Sequence, residues 1–229
     1  MADQRRHWRW IALVAAVGVV IWVAQHGGHD VGASGVTVAA PSAAASARSS
    51  ASGHGSASPS ATASPDQNVP SDFAAPVVDY ARQAGIDPQL LMAILYNESY
   101  KPHDPAFQRA WLKLKPGAAL GIANMHEATF DQVRVGRSFS GSSWLQLPDD
   151  PDLAIEAAAW YLHDLATQLP AQRTGSYTED ELLAMGYNAG PSNMLAFARG
   201  VTPGSLSQSY LDTLRQNWAT AGGVVKPYL

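Results

Sequence analysis

The sequence predicts an all-α domain over its last 160 residues, Pro70 to Leu229. Three observations carry this. Apolar residues recur at intervals of three and four, the repeat of one helix face. Acidic residues, Ser or Thr stand just before several of these runs, some followed at once by proline, and glycine closes others. No stretch alternates apolar and polar side chains for the length of a strand.

The elements follow in order. Ser71 is placed to cap a helix carrying Phe73, Val77, Tyr80, Ala81 and Ala84 on one face, closed by Gly85. Asp87-Pro88 opens the next, with Leu91, Ile94 and Leu95 at helical spacing. Pro102 to Gly121 reads as a loop-rich stretch, and His126 to Val133 as a short helix. Gly136 to Pro148 is a polar loop apart from Trp144. Asp150-Pro151 starts a helix that turns Ala154, Ala157, Ala158, Tyr161, Leu162 and Leu165 inward. Thr178 and Glu181 form a capping box before Leu182, Leu183 and Met185. Pro191 to Arg199 is a short helix ended by Gly200, and Tyr210, Leu211, Leu214 and Trp218 mark the last one.

The first 70 residues have a different character. Arg5, Arg6 and Arg9 precede an apolar run from Trp10 to Ala24. Residues 1–9 read as a cytoplasmic basic end, and 10–25 as a transmembrane anchor or a signal sequence. Residues 26–70 read as a disordered Ala/Ser/Gly/Pro linker, too poor in large apolar side chains to offset its ordering entropy. The domain, 71–229, is then expected outside the membrane with the N-terminus inside; cleavage and secretion is the alternative.

Composition removes several chemistries. Net charge is −4, and residues 70–229 carry 11 basic against 16 acidic side chains, so a basic nucleic-acid surface is not expected. With no cysteine there is no disulfide scaffold, thiolate zinc site or cysteine nucleophile. His126-Glu127 begins a zinc-helix pattern that fails at Phe130. No nucleophile-elbow serine and no glycine-rich phosphate loop is present.

Of five glutamates in the domain, Glu127, Glu156, Glu179 and Glu181 belong near helix starts, where negative charge suits the dipole. Glu98 does not. It continues the Leu91, Ile94, Leu95 stripe and falls near a helix C-terminus. Desolvation and the dipole both favour its neutral, proton-carrying form, which suits a general acid. Two further segments stand out: the glycine-led turn Gly121-Ile122-Ala123-Asn124-Met125, and Gly186-Tyr187-Asn188-Ala189-Gly190 at a helix end.

In this order the three segments resemble the soluble-type lytic transglycosylases, a lysozyme-like family related to goose-type lysozyme. Glu98-Ser99 matches the Glu-Ser motif, and Gly121 to Asn124 resembles Gly-Leu-Met-Gln, with Ala123 and Asn124 as departures. Gly186 to Gly190 matches Ala-Tyr-Asn-Ala-Gly except at its first residue. Asp152 to Leu165 and the helix with Tyr210 also fit, so the likeness covers about residues 73 to 218.

The resemblance implies a lysozyme-like helical fold and peptidoglycan glycan strands as substrate. The β-1,4 bond between N-acetylmuramic acid and N-acetylglucosamine would be cleaved to a 1,6-anhydromuramyl end, with Glu98 as sole acid and base. It implies that Tyr187 holds Glu98 and that Asn188 and Gly190 shape the cleft wall. Ser99, Tyr100, Gly121, Asn124 and Met125 would complete the sugar contacts. It implies no metal and no organic cofactor. A lysozyme using water and a non-catalytic wall-binding module are the alternatives.

Overall fold

A computed structural model describes residues 69–100 and 103–229. Among the described residues the fold is all-helical, with a 3-10 turn, Pro70–Phe73, before the first of eight α-helices. These are α1 Ala74–Ala84, α2 Pro88–Glu98, α3 Pro105–Leu114, α4 Glu127–Val133, α5 Pro151–Ala166, α6 Glu179–Ala189, α7 Pro191–Ala198 and α8 Ser205–Val225. The anchor or signal expected at 10–25 and the linker at 26–70 lie outside the described residues, save Val69 and Pro70. No helix among those described is long and apolar enough to cross a membrane.

Helix α2 is the centre. Leu90, Leu91, Met92, Ala93, Ile94 and Leu95 are all fully buried, as expected of a helix apolar on every side. Its start is fixed by Asp87, whose carboxylate accepts the Gln89 amide N–H at 2.7 Å, with Pro88 at the first helical position. The longest helix, α8, packs along it more extensively than any other element. Polar stitches set their register. Gln89 Nε2 donates to the Trp218 carbonyl at 2.8 Å, and Asn97 Nδ2 to the Tyr210 carbonyl at 3.0 Å. Asn217 Nδ2 donates to Asn97 Oδ1 at 2.9 Å. Gly222 permits the approach, since a Cβ there would lie 2.7 Å from Gln89 Nε2. Helix α1 packs on α5, and α6 packs on α7 and α8.

Most of the predicted punctuation is present. Gly85 closes α1 at φ 69°, and the Thr178–Glu181 capping box opens α6 with both of its bonds formed. Ser71 does not cap α1; it lies inside the 3-10 turn, and no side chain caps that helix. The stretch expected to be loop-rich contains α3, opened by Asp104 and Pro105 in the same way that Asp150 and Pro151 open α5.

Asp180, in the crowded first turn of α6, is half-buried beside Asp87, Glu179 and Glu181. Burial first, then those three carboxylates, push its pKa up to about 6. A raised folded-state pKa means that the folded chain holds this proton more tightly than the unfolded one. The stability it contributes is complete below about pH 4 and lost as pH rises through 6. Asp180→Asn, which imitates the neutral form, is therefore expected to raise Tm at pH 7.5 and leave it nearly unchanged at pH 3.5. Thermal melts at both pH values check this.

Candidate active site

Glu98 is the last residue of α2 and only 7% exposed. Burying a carboxylate next to unpaired helix carbonyls is unfavourable unless donors reach it. Two do. The Tyr210 hydroxyl, from α8, donates to Oε1 at 2.9 Å. Asn124 Nδ2 donates to Oε2 at 3.1 Å and to the Glu98 backbone carbonyl at 2.7 Å. One amide thus holds both the acid and one of the carbonyls at the helix end.

The turn that delivers Asn124 is built for it. Leu120 and Met125 exchange backbone bonds of 3.0 and 2.9 Å, and Asn124 N–H donates to the Gly121 carbonyl at 3.1 Å. Gly121 has φ 75° and Asn124 φ 47°; Asn124 is the single positive-φ residue other than glycine among those described. Asparagine tolerates this region better than glutamine does. Gly121 is also closely surrounded: an added Cβ would lie 2.9 Å from Leu147 Cβ and 3.0 Å from its carbonyl oxygen. The Gly121 N–H is taken by buried Gln108 Oε1 at 2.7 Å, and the Met125 carbonyl by the Trp144 indole at 2.7 Å. Trp144, the exception in its polar loop, is therefore buried with its N–H satisfied.

Tyr187 takes a different place from the one expected. Its hydroxyl donates to the Ala123 carbonyl at 2.7 Å, clamping the same turn from α6, while the phenol on Glu98 is Tyr210's. Burial, and then the Glu98 charge, hold both phenols well above their ordinary 10. Tyr161 packs against the Tyr187 ring at 5.4 Å, its own phenol pushed up to about 12, chiefly by burial.

The remaining predicted residues divide. Tyr100 is 74% exposed and follows the Ser99 cap of α2, two residues past Glu98. Ser99 is exposed and turns its hydroxyl back to the Leu95 carbonyl at 2.8 Å. Met125 is 2% exposed within the core. Asn188 is exposed on α6, and Gly190 ends that helix at φ 84° with open space where a Cβ would point. The sequence signal for Tyr210 as Glu98's partner was only its place on the final helix.

A family model for the transglycosylase SLT domain matches residues 76–201. The chain belongs to this family. It is a lysozyme-like domain of the lytic transglycosylase type, which acts on peptidoglycan. Searches of curated proteins and of solved structures found no match. The matched range contains Glu98, the Gly121 turn and the Gly186–Gly190 segment, and ends before Tyr210.

Gly121→Ala tests the turn. A left-handed φ and contacts near 3 Å against Leu147 both oppose a methyl group. The variant is expected to lose about 1–3 kcal/mol of stability in urea unfolding.

Proposed function

We propose that this protein is a peptidoglycan lytic transglycosylase in which Glu98 is the single acid and base. The observation that carries the reading is a buried carboxylate held at both oxygens, on one side by a phenol and on the other by an amide. Protonated, Glu98 gives its proton to the oxygen linking the muramyl C1 to the next sugar, and that bond breaks. The C6 hydroxyl of the same muramyl sugar then bonds to C1, and its proton passes to the Glu98 carboxylate. The acid is regenerated and no water is consumed.

Hydrolytic glycosidases pair two carboxylates, because one must activate water or form a covalent intermediate. An internal hydroxyl held near C1 has the proximity advantage already. The electrostatics of the site agree with a lone acid. Among the described residues, Glu98 is the one carboxylate whose charge helps to raise the buried phenols of Tyr187 and Tyr210. Asn124 and Tyr210 act as positioning groups that aim the carboxyl, with Tyr187 fixing the turn behind Asn124. Substrate enters past Tyr100, Asn188 and the open face of Gly190. The apolar N-terminal run would hold the domain at the outer face of the membrane, within reach of the wall.

The test is to treat purified peptidoglycan with the protein and weigh the released muropeptides. Anhydromuramyl ends, lighter by one water than reducing ends, are expected, and Glu98→Gln should yield none. Reducing ends would make the protein a lysozyme instead. Tyr210→Phe keeps the ring and removes the donor. It should lower kcat on the order of 10- to 100-fold with little change in KM, because the acid is misaimed and not lost.

A further inference from the structure

Helix α3 has an unusual balance. It is strongly amphipathic in sequence, yet of its ten residues only Gln108 is buried. Phe107, Trp111 and Leu114, one helical face at i, i+4 and i+7, are 46%, 43% and 79% exposed. The Phe107 and Trp111 rings lie parallel, 6° apart in plane with centroids at 6.5 Å. Lys115, four residues after Trp111, is exposed next to this face, Lys113 is exposed on a flanking side of the helix, and neither makes an ion pair among the described residues. In a domain with a net surplus of acid, this is a local cationic and aromatic face.

The face is fixed in relation to the acid. Gln108 lies on the adjoining side of α3, and its carbonyl oxygen takes the N–H of Gly121, the first residue of the turn that brings Asn124 to Glu98. On the other flank Arg109 is joined to Asp149 through its two terminal guanidinium nitrogens. The helix is therefore a pinned outwork of the site. Tyr100, two residues past Glu98, is a further exposed ring near the acid.

We infer that the α3 face is a strand-holding subsite continuous with the Glu98 cleft, and that it reads the anionic peptide stems of the glycan. This rests on the peptidoglycan reading above. Parallel, half-exposed rings suit the flat C–H faces of consecutive sugars, which aromatic surfaces bind. The ammonium groups of Lys113 and Lys115 suit stem carboxylates, which stand further from the sugar chain than the single lactyl carboxylate that each muramyl residue carries once its peptide is removed. An anionic bilayer would also attract basic and aromatic side chains. The pinning to the active-site turn and the half-buried rings of a ten-residue helix favour the strand.

The test uses residues 65–229, a compact unit holding the whole described core. Binding is measured with the Glu98→Gln protein, cleavage with the wild-type acid. Substrates are peptide-bearing strands and strands stripped of their peptides by an amidase. Phe107→Ala with Trp111→Ala is expected to weaken binding to both by about tenfold, raising KM with kcat unchanged. Lys113→Glu with Lys115→Glu should weaken binding to peptide-bearing strands more than to stripped strands, which keep only lactyl carboxylates, and this surface pair leaves the core untouched. Unchanged KM in both variants, with cleavage intact, would overturn the inference and leave the transglycosylase reading standing. So would binding to phosphatidylglycerol vesicles that both variants lose, which would assign the face to the membrane. A protein that neither binds nor cleaves strands would remove both readings.

Discussion

A carboxylate buried at the C-terminal end of a helix is the arrangement on which the rest of this structure depends. Glu98 meets three adverse conditions together: low exposure, an apolar helix beneath it, and the negative end of that helix's dipole. Each adds to a cost that reaches several kcal/mol for an uncompensated ion. The chain meets it with donors from distant segments, Asn124 at 26 residues and Tyr210 at 112. Neither donor is of use unless its own element is rigid. The Gln89, Asn97 and Asn217 bonds between α2 and α8 serve Tyr210, and the clamps on the Gly121 turn serve Asn124.

How much of this is legible beforehand follows from the kind of information each feature needs. Helix starts are local chemistry, so Asp87-Pro88, Asp150-Pro151 and Thr178 with Glu181 can be read directly. Helix α3 carries the same signal at Asp104-Pro105, followed by Phe107, Trp111 and Leu114 at helical spacing, so it is as legible as the others and the loop-rich expectation overlooks a local signal that is present. Glu98 is legible because a charge interrupts an apolar stripe. Its partners are less so. Exchanging the roles of Tyr187 and Tyr210 needs the packing of α6 and α8 around α2, and no spacing within either helix encodes that.

The second motif shows how a substitution can be absorbed by geometry. Asn124 departs from the family glutamine, and its side chain is one methylene shorter. Its backbone occupies the left-handed region, which brings the short amide onto Glu98. Asparagine is therefore suited to this turn in two ways, by conformation and by reach. Ala123, in place of methionine, is buried, and its carbonyl receives the Tyr187 hydroxyl. The departures fall at two successive residues that touch the same machinery from opposite ends.

A lone catalytic carboxylate works best when other negative charges are kept away, and this domain carries a surplus of acid. Tyr80 is raised by burial and then by Glu156, Asp152, Asp150 and Asp79, a cluster between α1 and α5. A cavity of about 410 Å3 on that side is lined by Tyr80, Asp150, Asp152 and Glu156 among others. Tyr187 and Tyr210, buried beside the candidate acid, register one carboxylate, Glu98. Asp150, Asp152 and Glu156 thus act on Tyr80 and are not among the charges that raise the two phenols beside Glu98. Glu98 itself holds the Tyr210 hydroxyl and the Asn124 amide on its two oxygens. A second fixed carboxylate beside it would bind that proton in competition and oppose its transfer to the sugar oxygen.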